Sequence, residues 1–531
     1  MSKLEYSVEF KRWINATSSF DEEWTDITAD VIMPGLECSS GTTGTTIKDR
    51  VSDVGICTFD LDNSASNSHR LARYYSPGYS IGFEIGCPVR VRFTFEGLTR
   101  TKWYGRIGGI NAEPGTMLTR RSHVTCYDWF YQANKYTLQL PSYEVNKRIN
   151  DAMGMVIADI PFKPLSTEFA VGDSAFPTIF DNVNYRTTAM AEFQKLAVSE
   201  IGNIYLKHDL SGEEILTNSN KYRRALTALS EYTLPDSTAS ALLDEDGSII
   251  LDEDGSYLLS DDTADIVFAD EQMELAYSYG DKLCNHAEVT TYPRNPNTTV
   301  GVLFTMTDPV MIAAGETVEF YKVIYKDPSS RAYAVCGKNI VPVVASTDYL
   351  FNTASDGSGT NITSDLAITG IYGVSDTEFS FTNNNASDGY ITFLQIRGEA
   401  IYLLDKVTRI AEDQNSINRY GLFELTYDMP YQPPPFTAQT IADFIVLNYT
   451  DPLLNANSIS FSNSSDDAVQ KFLSIDCNAR ISVSETQTLI DSHFFIQGWN
   501  FQVLGNNDTT GLIVKETVYL YQVEHNSYVL E

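Results

Sequence analysis

Between Cys87 and Ile110 the chain reads CPVRVRFTFEGLTRTKWYGRIGGI. Val89, Val91, Phe93 and Phe95 alternate with Arg90, Arg92 and Thr94. A period of two puts apolar side chains on one face of a half-buried strand and polar ones on the other. Glu96 and Gly97 open a turn, and Trp103, Tyr104, Ile107 and Ile110 follow with Gly105, Gly108 and Gly109 among them. Glycines inside a strand mark bulges or tight bends, the device by which a sheet curls toward closure, so the stretch predicts a barrel edge. Near the other end, Cys477 to Val503 repeats the arrangement. Cys477 and Arg480 keep the spacing of Cys87 and Arg90, Ala479, Ile481 and Val483 alternate, and Phe494, Phe495 and Ile496 precede Gly498. Val503 lies five residues beyond Gly498 as Ile110 lies five beyond Gly105. The repetition predicts a duplicated module, against a chance likeness within a β-rich chain.

The same periodicity predicts strands elsewhere. Leu4, Tyr6, Val8 and Phe10 alternate at the start, Trp24 to Ile32 reads as a second strand, and in Val54 to Asn63 Ile56, Thr58 and Asp60 alternate with Cys57, Phe59 and Leu61. A strand around Val124 to Tyr127 completes an all-β unit ending near Tyr136. Tyr185 to Gly202 changes period: Ala189, Phe193, Leu196, Ala197 and Ile201 fall at helical spacing, with Thr187 and Thr188 as cap candidates and Gly202 as the stop. A strand, a turn at Asp209 to Gly212 and a second strand follow, then the basic residues Lys221, Arg223 and Arg224, read as a solvated strand end. Leu243 to Leu259 holds two DEDGS units. Asp244, Asp246, Asp252 and Asp254 suit a hard cation such as calcium, but an EF-hand loop and its terminal Glu are absent, and DG between apolar β-formers predicts hairpin turns without metal. Alternation resumes over Met273 to Arg294, short apolar runs separated by Asp/Gly/Ser/Asn turns over Phe304 to Ser380 predict a sandwich-like insert, and Phe393 to Leu404 returns from it. Pro433 to Pro435 reads as a stiff linker, and Thr437 to Tyr449 as a short helix ended by Pro452.

Composition narrows the class. A chain of 531 residues exceeds one core, predicting about three or four domains. Tyr 31 and Phe 27, with frequent Thr and Val, favour sheets. Lys+Arg 37 against Asp+Glu 70 gives a net charge of -33, which argues against broad gripping of nucleic-acid phosphates. Cys38, Cys57, Cys87, Cys126, Cys284, Cys336 and Cys477 form no CxxC pair and read as buried free thiols. The sequence shows no apolar run of membrane-spanning length and no signal-peptide segment, which predicts assembly in a cytoplasm. His69, His123, His208, His286, His493 and His525 fall in no HExxH or Cys-His signature, and no GxSxG or P-loop occurs, so no catalytic, cofactor or metal residue is assigned. Paired carboxylates for glycosidic hydrolysis depend on the fold and stay open, with chance proximity as the favoured reading.

The ordered series WTDITADV, FDLDNS, the loop with Tyr74, Tyr75, Ser76, Pro77 and Gly78, then GCPVRV, WYGRI and HVTCYDWF resembles the N-terminal module of phage tail hub proteins. These are baseplate hub or tail-tip proteins of tailed bacteriophages, relatives of the trimeric hub of contractile tails. The helix, hairpin and basic end after Tyr185 resemble the family's small α/β insert. NHAEVTTYPR resembles the strand that enters its second barrel, and DQNSINRYGLFELTYDMP also looks like the family. The resemblance is weakest from 300 to 390.

The resemblance implies a mainly β fold with a small α/β insert, two tube-like β-barrel modules and a β-sandwich-like insert. The expected boundaries are 1–140 for the first barrel, 141–262 for the α/β insert with its acidic hairpin arm, 263–300 for the start of the second barrel, 301–437 for the sandwich-like insert, and 438–531 for a helix and the rest of the second barrel. It implies a structural virion protein at the tail tip rather than an enzyme: a homotrimeric hub that closes the tail tube, adapts sixfold to threefold symmetry and leaves a channel for DNA exit. Its expected partners are the distal tail or tail tube protein, the tape measure protein and tail-tip fibres or spikes. A negative lumen wall is expected to let DNA pass, with Arg90, Arg92 and Arg480 either breaking that pattern or pairing with carboxylates in subunit contacts. The alternative is a carbohydrate-binding adhesin or depolymerase, supported by the Tyr-rich stretch from 300 to 400.

Overall fold

The computed structural model describes residues 3–14, 16–44, 46–63, 82–113, 120–138, 144–172, 175–180, 187–208, 214–219, 266–269, 273–326, 335–507 and 511–522. The DEDGS repeat, the Lys221–Arg224 patch and the Tyr74–Gly78 loop lie outside them.

The protein is mainly β, arranged in several sheets. The largest has 13 strands and draws on both ends of the chain. Its order runs Glu274–Tyr279, Leu454–Ser462, Gly511–Gln522, Ile490–Asn507, Val31–Gly41, Ile56–Asp62, Arg121–Tyr127, Leu98–Ala112, Pro88–Phe95, Glu5–Phe10, Thr25–Asp26. Arg480–Glu485 pairs with Ile490–Asn507 and carries Ile266–Ala269 on its other side. The alternation behaves as read: in Ile56–Asp62 the residues Cys57, Phe59 and Leu61 are buried, and in Pro88–Phe95 so are Val89, Val91, Phe93 and Phe95. Trp24 to Ile32 is not one strand; Thr25–Asp26 is followed by a 3-10 turn at Thr28–Asp30 before Val31–Gly41 begins.

Among the described residues, the strands expected to close into two separate barrels form no closed barrel; they join in this one sheet. The reason lies at the seam, where Gly41 pairs with Gly498, Ser40 with Trp499 and Cys38 with Phe501. Gly41 has φ +83, and a Cβ on it would stand 2.3 Å from the Gln497 carbonyl oxygen. A Cβ on Gly498 would stand 2.6 Å from the Thr42 carbonyl oxygen. Two glycines thus let the halves approach closely enough for each to cap the other's open edge. A second link is made where the Leu512 N–H donates to the Leu4 carbonyl at 3.1 Å. One hydrophobic core serves both halves, with Phe93 meeting Phe472 and Phe501 edge-on at 4.8 and 5.3 Å between ring centres. Burying each such ring contributes roughly 1.5–3 kcal/mol.

A second core gathers the helices Phe130–Lys135, Ile149–Asp159 and Ala189–Glu200 with the hairpin Asn203–His208 and Glu214–Ser219. Thr188 caps Ala189–Glu200 as expected, its hydroxyl accepting from the Ala191 N–H at 3.2 Å. The left-handed residue at its end is Ile201, φ 58, rather than Gly202. The Ile201 side chain is buried, and that burial offsets the cost of an unfavoured backbone region.

His286–Thr291, within the NHAEVTTYPR phrase, lies in its own three-stranded sheet with Val407–Glu412 and Glu424–Met429. Helix Pro435–Tyr449 packs on it, so the supposed proline linker is partly helix: Pro435 opens the first turn, where a missing N–H costs nothing. Between Arg294 and Leu403 a five-stranded and a three-stranded sheet contribute to one core, including Leu303, Phe351, Ile391, Phe379 and Phe381.

Candidate functional site

The two expected hairpins are both present. Pro88–Phe95 pairs antiparallel with Leu98–Ala112, and Arg480–Glu485 with Ile490–Asn507. In each the second strand is long and breaks register beside a glycine, between Ile107 and Gly109 in one and between Ile496 and Gly498 in the other. Their registers differ: Arg90 faces Tyr104, one residue before Gly105, whereas Arg480 faces Phe495, three before Gly498.

The arginines part company. Arg90 Nε donates to Glu9 Oε2 at 2.6 Å and its guanidinium lies 4.2 Å from the Trp24 ring centre; Arg92 stands 3.6 Å from the same carboxylate. Both therefore pair with a carboxylate of their own chain, from the neighbouring strand Glu5–Phe10. Arg480 is buried at 4% exposure.

Beside the seam lies a buried charge junction that periodicity did not reveal. Lys102, 3% exposed, donates from Nζ to the carbonyls of Phe472 and Ile475, each at 2.7 Å, and to Glu516 Oε1 at 3.2 Å. These partners use all three ammonium protons. The rings of Phe472 and Trp499 flank the ammonium at 4.8 and 4.9 Å. Burial pushes the Glu516 carboxyl up to about 7, with Lys102 opposing the rise. Next to it Asp476 accepts from the backbone N–H groups of His208 at 2.8 Å and Cys477 at 2.7 Å. Burial works against its charge, yet hydrogen bonds and charge from His208, assisted by Lys102, hold it below the usual carboxylate range. Lys102 comes from the first hairpin, His208 from the α/β part, Asp476 from the loop between helix Asp466–Ser474 and strand Arg480–Glu485, and Glu516 from strand Gly511–Gln522. The cluster fastens three remote parts of the chain.

A cavity of about 140 Å³ beside the first hairpin is lined by Arg106, Tyr127, Asp128, Trp129, Phe162 and Glu214 among others. Burial raises Asp128 to about 8, and burial with the Asp128 charge raises Glu214 well above its ordinary value. Two carboxyls do meet here, but Asp128 accepts from Gly55 N–H at 2.7 Å and Phe130 N–H at 3.0 Å. Those bonds commit it to holding a turn and the start of a helix, so it cannot swing to a substrate without breaking them.

The seven cysteines are all free and buried. Cys38, Cys57 and Cys126 sit side by side on adjacent strands, and burial pushes their thiols up, away from nucleophilic thiolate. His123 contacts Asp60 at 2.9 Å, and His286 stands within 3.5 Å of Glu288 and Glu412. Among the described residues no three His, Cys, Asp or Glu side chains converge on a metal-sized site.

Fold and charge together define a mainly β scaffold whose buried ions act as joints. No protein-family model and no curated protein sequence matches the chain. Solved structures of phage tail proteins are similar to it over nearly its whole length. The 43 kDa tail protein of prophage MuSo2 from Shewanella oneidensis aligns over 98% of both chains at 8% identity and TM-score 0.44. A tail protein from Neisseria meningitidis covers 97% of this chain and 96% of its own at 8% identity and TM-score 0.43. An Escherichia coli component of the type VI secretion system, described as structurally similar to bacteriophage T4 tail proteins, covers 94% of this chain and 76% of its own at 7% identity and TM-score 0.36.

Proposed function

We propose that this protein is the baseplate hub of a bacteriophage tail, a structural virion protein at the tail tip that closes the tail tube. The observation that carries the reading is the glycine-bent hairpin built twice in one chain. Each copy sits in one half of the large sheet, so three chains present six such halves to a sixfold tube and three tips below it. The ordered motif series of the first 136 residues supports the same reading. The region between Arg294 and Leu403 is then a sandwich-like insert on the hub body. Among the described residues the large sheet ends in the strands Glu274–Tyr279 and Thr25–Asp26, and Tyr277 and Tyr279 are 53% and 68% exposed, which favours pairing with a neighbouring copy. The distal tail or tail tube protein, the tape measure protein and the tip fibres or spikes are the partners, and DNA leaves through the central channel. Mass measurement of the purified protein tests this. The expected species is a trimer of 59.2 kDa chains, and imaging of tails should place six like modules on the tube end. A monomer in solution that occupies a single copy per tail overturns it.

A further inference from the structure

Beside the glycine seam, three remote stretches of the chain converge on a cavity of about 10 Å³. Thr42 and Ser52 line it from the first half of the large sheet, Asn203 from the α/β hairpin, and Asn478 and Gln497 from the second half. Backbone bonds fix these walls: the Ile204 N–H donates to the Arg50 carbonyl at 2.8 Å, the Ser52 N–H to the Ile204 carbonyl at 2.9 Å, and the Asn478 N–H to the Ile496 carbonyl at 2.7 Å. Two amide side chains line the space without the partners their burial calls for. Asn203 is 5% exposed, and neither its Oδ1 nor its Nδ2 has a hydrogen-bond partner among the described residues. Asn478 is 6% exposed; its Nδ2 donates to the Tyr205 hydroxyl at 3.2 Å, while its Oδ1 has no partner among the described residues. Buried polar groups left unmatched are costly, and in folded proteins protein atoms or ordered water meet nearly all of them.

We propose that this cavity is a binding site for one structural water, which accepts from the Asn203 amide N–H and donates to Asn478 Oδ1, joining the α/β part to the second half of the sheet. The size fits, since a single water needs roughly 10–15 Å³. So does the chemistry. A cation would leave the Asn203 N–H unmet, and an anion would leave the two amide oxygens unmet; only a molecule that both donates and accepts serves all of them. The fit does not depend on which way the Asn203 amide is turned, because both of its ends lack partners. Gly41 and Gly498 bring the two halves into backbone contact, and the water completes the joint at the adjoining corner, where the side chains do not pair with one another.

Diffraction from crystals of the full chain, at a resolution that shows ordered solvent, tests the site directly. The expected result is a peak with the scattering of one oxygen within hydrogen-bond distance of the Asn203 amide and of Asn478 Oδ1. No peak there, direct bonding of the two amides to each other, or a heavier scatterer overturns the proposal. Chemical denaturation tests the bridge in solution. Asn203→Ala should lower the unfolding midpoint, and so should Asn478→Gly, which keeps the left-handed backbone of that residue, φ 68, accessible. The double variant should lower the midpoint by less than the sum of the two, because each single variant already loses the shared water. Additive losses, or no loss from either change, overturn the bridge. Neither readout depends on whether the protein is a trimer, so this inference and the hub reading fail separately.

Discussion

The first hairpin and its copy begin alike and end in different surroundings. In the first, Arg90 and Arg92 remain on a partly solvated face and share Glu9. In the copy, Arg480 is buried, and the residue before Cys477 is Asp476, which accepts from His208 of the α/β part. The corresponding residue in the first hairpin is Gly86, with no side chain to offer. One copy thus keeps an outward polar face while the other has become a docking surface within the chain. The two hairpins share a frame, and a few polar residues decide which one faces solvent.

The strongest way to break this arrangement is at the seam that joins the two frames. Gly41→Val combines an unfavourable φ with a clash against backbone that has no flexible end to yield. We expect a loss of more than about 4 kcal/mol, or failure to fold, read by thermal unfolding and soluble yield. Gly97→Ala is the comparison: its φ is similar, +82, but nothing lies within 4 Å of an added Cβ, so the cost should be only about 1 kcal/mol. Equal losses at the two positions would mean that the close approach is not what Gly41 supplies.

Next in size is the charge junction. Lys102→Met removes the ammonium that pairs with Glu516 and leaves two buried carbonyls without their donor, which should cost about 3–5 kcal/mol in chemical denaturation. Measured at about pH 8, where Glu516 is ionised, Lys102→Met with Glu516→Gln should recover part of that loss, because the buried charge goes with its partner. A double variant no better than the single would show that the carbonyl bonds, not the ion pair, carry the joint.

The alternation of Ile56–Asp62 and Pro88–Phe95 was legible because each of those strands has one buried face, and a period of two reports it directly. At Thr101–Gly105 and Phe494–Trp499 both faces are covered and the pattern goes silent. Lys102 looks like a solvent residue in sequence; its burial depends on helix Asp466–Ser474, hundreds of residues away. The helix Ile149–Asp159 did carry a signal, with Ile149, Ala152, Met153, Val156 and Ile157 at helical spacing, but no side-chain cap marks its start. The shared sheet was hidden for a related reason: two glycines at a seam read locally as bends, and only the strand pairing shows that they admit a neighbour. Of the candidate sites, the arginines are legible as residues but not with their partner Glu9, and the bulge at Phe320 is one that spacing alone does not disclose.

A third contrast concerns protons. Asp128 beside the first hairpin and Glu516 beside the second have folded-state values of about 8 and about 7, above the ordinary 3.8 and 4.5. The folded protein therefore holds protons that the unfolded chain releases. The stability from each is fully present below its ordinary value and is lost as pH rises through the folded one. Between about pH 4.5 and 8 these two groups should make melting temperature fall with rising pH. Asp476, held low, acts in the opposite sense and only at the acid end, losing its contribution as pH falls through its depressed value. Glu516→Gln should flatten the profile up to about 7, and Asp128→Asn should flatten it up to about 8. A profile rising across this range in the wild type would contradict both assignments.

The smallest effect expected is on DNA. Arg92 and Glu9 form a half-exposed pair at 3.6 Å, so Arg92→Ala should change stability by less than about 1 kcal/mol. Glu9 pairs with both Arg90 and Arg92 and offsets one of their two charges, and a chain with an excess of 33 negative charges should show no retention of duplex DNA in a gel-shift at moderate salt. Glu9→Gln sharpens the point, since it frees two arginines on the first hairpin while Arg480 in the copy stays buried. Any retention it creates should be slight, appear only at low salt and vanish near 0.15 M, where screening acts within about 8 Å. Firm binding by the wild-type chain at that salt would be incompatible with the proposed channel for DNA exit.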